Sequence, residues 1–159
     1  LIGITLGSIY SLMALALVLV WRSTRVVNFA QAGQAIFSTY IGYEMMVRTG
    51  NFWFSLLIAI IIGSLLGAGV EYFFMRTLFK HADDGPVAAL APVIATLGLL
   101  GVIRSVVGMI WGNEYRSFAS PVPTDNFVVA GATIPFSRLN VLVIVGAALV
   151  MIAFSIIFQ

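Results

Sequence analysis

Five apolar stretches alternate with polar breaks along the chain, at residues 1–21, 29–47, 52–74, 87–111 and 139–158. A helix of roughly 20 apolar residues crosses a bilayer core, so the pattern predicts five spanning helices. The first and last runs carry no charge, the third holds only Glu71 and the fourth only Arg104. The second differs. Within residues 26–43, Asn28, Gln31, Gln34, Ser38 and Thr39 arrive before any continuous apolar run is established. Such groups are costly against hydrocarbon and must face protein, water or a ligand.

Between the fourth and fifth runs lies a polar interlude, residues 112–138, which is not a span. Pro121 and Pro123 exclude a regular helix there and favour an extended path. Beyond them, Phe127-Val128-Val129 and Thr133-Ile134 flank Ala130-Gly131-Ala132. β-branched residues around a glycine-centred turn predict a short hairpin, placed on the outer surface.

Small residues recur at helical spacing in three of the runs. Gly3 and Gly7 open the first. Ala59, Gly63 and Gly67 line one face of the third, and Gly98, Gly101, Ser105 and Gly108 recur in the fourth. In lipid, where no hydrophobic drive joins helices, small side chains let backbones approach. The expectation is a packed bundle, all-α apart from the hairpin, forming a single transmembrane domain over 1–159.

Composition agrees. The 159 residues are 61% hydrophobic and 9% charged, against roughly 25% charged in soluble domains. No block of Lys/Arg runs together, so nucleic acid is not an expected partner. The chain opens inside an apolar run without an initiator Met or a basic leader, and reads as part of a longer polytopic protein. Placing the loops with Arg22 and Arg25, and with Arg76 and Lys80, on the cytoplasmic side leaves Arg48, Arg116 and Arg138 outside. By the positive-inside rule Leu1 is then outside and Gln159 inside. Trp21, Trp53 and Trp111 sit at run ends, as an interfacial aromatic belt requires.

Little is available for acid–base chemistry. Asp83-Asp84-Gly85-Pro86 reads as a turn, and His81 beside it has no second ligand at helical metal spacing. With no cysteine, no nucleophile–base order and no phosphate loop, neither an enzyme, a metal site nor a cofactor is expected. Glu71 extends the Ala59–Gly63–Gly67 series by a turn, with Arg76, Lys80 or a basic residue of the first inner loop to supply a partner charge, and reads either as an anchor at the inner headgroup level or as a carboxylate with a transport role. Arg104 lies about 10 Å below the outer interface at 1.5 Å per residue. It can snorkel, pair with Glu44 or Glu114, or stand in a solute path. The strongest candidates are Asn28, Phe29, Gln31, Gly33, Gln34, Ser38, Thr39 and Tyr40. They either line a solute path, aided by free N–H groups at the helix start, or hydrogen-bond between helices. Thr96 and Gly98 of the fourth run are expected to pack beside them.

Three stretches resemble one family, the LivH-type permeases of branched-chain amino acid ABC importers. Leu6-Gly7-Ser8-Ile9-Tyr10-Ser11-Leu12-Met13-Ala14-Leu15 is similar to its LGSIYALIAL opening. Arg25-Val26-Val27-Asn28-Phe29-Ala30-Gln31 is similar to its V-x-N-F-A-[HQ]-G-E signature, with Tyr40 at the matching later position. Ala95-Thr96-Leu97-Gly98-Leu99 is similar to A-T-x-G-L, and Arg116-Ser117-Phe118 before Pro121 and Pro123 fits the outer segment. At Ala32-Gly33 the chain departs from the usual Gly-Glu, which removes the acidic residue from that helix entry. The resemblance implies the first part of a larger helix bundle in a bacterial cytoplasmic membrane. It also implies a second permease subunit, cytoplasmic ATPase subunits, an extracytoplasmic solute-binding protein and an amino acid substrate. Two alternatives stand beside it: a permease for urea or short amides, and a non-transporting membrane scaffold. A scaffold would bury the polar face of the second helix dry against other helices. A permease would set it along a cavity.

Overall fold

The computed structural model describes residues 2–24, 27–76, 90–112, 114, 116–122, 126–129 and 132–157. Five α-helices account for most of them: α1 (Ile2–Thr24), α2 (Ala30–Thr49), α3 (Phe52–Gly69), α4 (Ala91–Trp111) and α5 (Arg138–Ile157). Four are long and apolar enough to cross a membrane, over Gly3–Arg22, Phe52–Phe73, Ala91–Trp111 and Arg138–Ile157. The remaining helix, α2, matches them in length with 20 residues, but its amides, hydroxyls and Glu44 dilute the apolar run. The all-α membrane bundle is therefore the architecture. The Asp83–Pro86 turn, Lys80, His81, Arg25, Pro123, Gln159 and the start of the fourth run at 87–89 lie outside the described residues.

A short antiparallel hairpin of β1 (Asn126–Val129) and β2 (Ala132–Ser137) precedes α5, as the β-branched pattern predicts. Phe127 pairs with Ile134 and Val129 with Ala132, with an irregularity between Asn126 and Phe127. Ala132 belongs to the strand rather than the turn, and Ala130-Gly131 lies outside the described residues.

The chain divides into two compact units. One comprises Leu1–Ser23 and Ser120–Gln159, which include most of α1 with the hairpin and α5. Serines in α1 satisfy themselves: the Ser8 and Ser11 hydroxyls donate to the carbonyls of Ile4 and Gly7, both at 2.8 Å. Among the described residues, nothing comes within 4 Å of a Cβ placed at Gly3 or Gly7. The other unit, Thr24–Ala119, holds α2, α3 and α4 and carries the polar stretch.

In that unit α2 is the shared wall, with α3 antiparallel on one side and α4 parallel on the other. The α2–α3 connection is short because each residue terminates a helix. Gly50 takes the left-handed conformation (φ 66°) that ends α2, and its N–H donates to Met46 O at 2.8 Å. The Asn51 side chain then accepts from Phe54 N–H at 3.2 Å and starts α3. Beyond Gly69, α3 widens into a π turn over Val70–Met75, where Arg76 N–H reaches back to Glu71 O. The extra residue per turn rotates everything after it. Glu71, the second residue of that turn, is exposed.

Candidate functional site

The seam between α2 and α3 is built from small residues on both helices. A Cβ at Gly42 would stand 3.0 Å from that of Ala59 and 3.4 Å from Ser55 O. A Cβ at Gly63 would stand 3.3 Å from Ser38 Oγ, and one at Gly67 3.8 Å from Gln34 Oε1. Ala59, Gly63 and Gly67 thus lie along this seam, with Gly42 as the partner that sequence reasoning missed. Its signal was the four-residue spacing of Gln34, Ser38 and Gly42.

On the other side of α2, Gly33 admits Leu100 and Ile103 of α4, at 3.1 and 3.3 Å from its Cβ position. Thr96 is fully buried and its hydroxyl donates to Val93 O at 2.9 Å. Gly98, two residues on, points the opposite way: it and Gly101 face open space, and Ser105 is exposed. The expected pairing of Gly98 with α2 is therefore corrected, since a two-residue step turns a helix by about 200°. Gly101, Ser105 and Gly108 instead share an outward face with Arg104 and Met109.

The polar row on α2 separates by chemistry. Hydroxyls are satisfied within the helix, with Ser38 and Thr39 both donating to Ala35 O, at 3.1 and 2.7 Å. Asn28, 7% exposed, shapes the helix start by accepting from Ala30 N–H at 3.0 Å. Gln31 N–H and Ala32 N–H donate to Asn28 O and Phe29 O. These first N–H groups are accordingly engaged within the chain and not free for a ligand. Phe29 and Thr39 are exposed, and Tyr40 is half-buried against Trp111, their ring centroids 5.5 Å apart.

Two amides are left over. Gln34 is 9% exposed, and its Nε2 has no hydrogen-bond partner; Gln31 is half-buried, and its Oε1 has none either. Both atoms are closed off from water. Each unmet group of this kind costs about 1–3 kcal/mol. One unused donor and one unused acceptor thus lie three residues apart, on neighbouring positions of one helix. A shallow groove of about 420 Å³ runs along α3 and the π turn, bordered by Ile62, Leu65, Leu66, Gly69, Val70, Phe73 and, from α4, Leu99.

From its middle to its C-terminal end, α2 is fastened by aromatic rings. Phe37 meets Trp111 edge-on at 5.7 Å, Tyr43 meets Phe118 at 5.6 Å, and Phe118 meets Phe52 at 6.4 Å. Arg116 sits 5.6 Å from the Tyr43 ring centre and donates to Trp111 O at 2.9 Å. Glu44 is held by Arg48 at 2.9 Å, one turn on, rather than by Arg104. Arg104 is exposed, which leaves it free to extend along the helix surface. Arg76 lies over the Tyr72 ring at 5.4 Å. Among the described residues, no group of three His, Cys, Asp or Glu is placed to hold a metal ion.

A family model described as "Branched-chain amino acid transport system / permease component" matches residues 1–159. Among curated proteins, the chain is similar to the probable branched-chain amino acid transport permease protein LivH of Methanocaldococcus jannaschii. The two are 27% identical over 120 residues, which cover 73% of this chain and 38% of that protein. The chain thus spans well under half the length of that relative. No solved structure matches it.

Proposed function

The chain belongs to the permease-component family of branched-chain amino acid transport systems, and we propose that it forms part of an ABC importer's membrane subunit for leucine, isoleucine and valine. The match along residues 1–159 is the observation that carries this reading. In it, a second permease subunit completes the pathway, cytoplasmic ATPase subunits supply the energy, and an extracytoplasmic binding protein delivers the solute. The membrane is a cytoplasmic one, with Leu1 outside and Gln159 inside. The chain itself performs no bond-making chemistry. The solute path runs past α2, where Gln31 and Gln34 offer hydrogen-bonding capacity that the bundle does not use.

One observation favours the scaffold reading: Asn28 and Gln34 are buried. Vesicles holding the complete transporter, with binding protein outside and ATP inside, separate the readings. The permease reading expects ATP-dependent leucine uptake, competed by isoleucine and valine but not by urea. Uptake competed by urea would reassign the substrate, and an assembled complex that moves no solute would make the chain a scaffold.

A further inference from the structure

The α2–α3 seam is not uniform along its length. From the Gly50 turn outward, the approach of a Cβ to its neighbour relaxes from 3.0 Å at Gly42 to 3.3 Å at Gly63 and 3.8 Å at Gly67. The tight end is held by the Gly50 and Asn51 caps and by the rings around Phe118. The other end carries the unpartnered Gln34 amide beside Gly67, with Gln31 one turn nearer the start of α2, and α3 leaves it through the π turn. π turns are weakly bonded compared with α-helix and recur at functional sites. Beside that end lies the apolar groove, whose borders Leu66, Gly69 and Val70 flank Gly67 in α3 and the π turn.

We infer that Gln31 and Gln34 are the polar half of a solute site, uncovered when α2 and α3 part at the Gly67 end, with the groove taking an aliphatic side chain. The inference rests on the permease reading and names the recognition element within it. Its ligand is a small zwitterionic amino acid with a branched apolar chain. Gln34 Nε2 donates to the carboxylate, and Gln31 Oε1 accepts from the ammonium group. Neutral amides suit such a ligand because they meet both charged ends, yet leave no net charge buried when the seam closes. Parting precedes binding, because both atoms are closed off from solvent. Gly67 adds no side chain of its own at the Gln34 amide, whose Oε1 lies 3.8 Å from its Cβ position.

The test uses the complete transporter in vesicles, with radiolabelled leucine as the probe. This chain has no cysteine, and Ser38 Cβ lies 3.4 Å from the Cβ position of Gly63, near the disulfide range of about 3.5–4.5 Å. The double variant Ser38→Cys with Gly63→Cys is expected to transport when reduced, stop when oxidised and recover on re-reduction. The reduced form also shows that the variant folds. Gln31→Leu and Gln34→Leu each raise the KM for leucine about tenfold, the loss of one hydrogen bond to a charged group, with ATPase subunits still co-purifying. Undiminished uptake by the verified cross-linked form, or a wild-type KM in both Gln variants, overturns the site and leaves the permease reading intact. Wild-type vesicles that take up no aliphatic amino acid overturn both.

Discussion

At the scale of single residues, what surrounds a glycine decides its worth. Gly42 lies where a Cβ would press on Ala59 and Ser55, whereas Gly101 opens onto free space. Gly42→Ala is therefore expected to lower the stability of the detergent-solubilised permease by about 1–3 kcal/mol, since a packed seam must spread. Gly101→Ala leaves it unchanged or raises it by up to about 1 kcal/mol, through helix propensity alone. Denaturant titration of the two variants checks the contrast, and equal effects would mean that the seam is not close-packed. The sequence makes both glycines visible as members of small-residue series. It does not say what stands opposite, because periodicity assigns residues to faces and leaves the partner of each face open. That is why Ala59, Gly63 and Gly67 have α2 opposite them, while no described residue stands within 4 Å of a Cβ at Gly3, Gly7 or Gly98.

Among the elements, the helices themselves are legible because long uncharged runs have no other way to satisfy their backbones in lipid. The hairpin is legible from β-branched residues around Ala130-Gly131. The π turn is not. Val70–Met75 has the same apolar texture as the helix before it, and one extra residue per turn leaves no compositional mark. Deleting Tyr72 restores α-helical register, and the expectation is a melting temperature within about 2–4 °C of wild type but much reduced leucine uptake. Measuring both in one preparation separates a mechanical role from a structural one. Unchanged uptake would remove the π turn from the mechanism. The polar start of α2 was readable as a functional candidate, yet the division of labour within it was not. Hydroxyls bond back to their own helix and Asn28 caps it, so only Gln31 and Gln34 remain uncommitted, a distinction that depends on three-dimensional neighbours.

For the molecule as a whole, most large apolar side chains of α1, α3, α4 and α5 are exposed, as suits a surface solvated by lipid or by further helices. Against that background Arg104 stands out on α4, beside Gly101, Ser105 and Gly108. In a translocon-mediated insertion assay, Arg104→Leu in the α4 segment should favour insertion by about 3 kcal/mol if the side chain sits at mid-membrane. A shift near zero would place the guanidinium at the interface. The uneven α2–α3 seam has a last consequence, one of leverage. Gln34 lies sixteen residues from Gly50, an arm of about 24 Å at 1.5 Å per residue. A tilt of only about 7° pivoting on that turn swings the far end of this arm by about 3 Å, the width of a water molecule. In the proposed site such a tilt moistens the two idle amides, while Tyr43, against Phe118 and closer to the fulcrum, shifts by only about 1 Å.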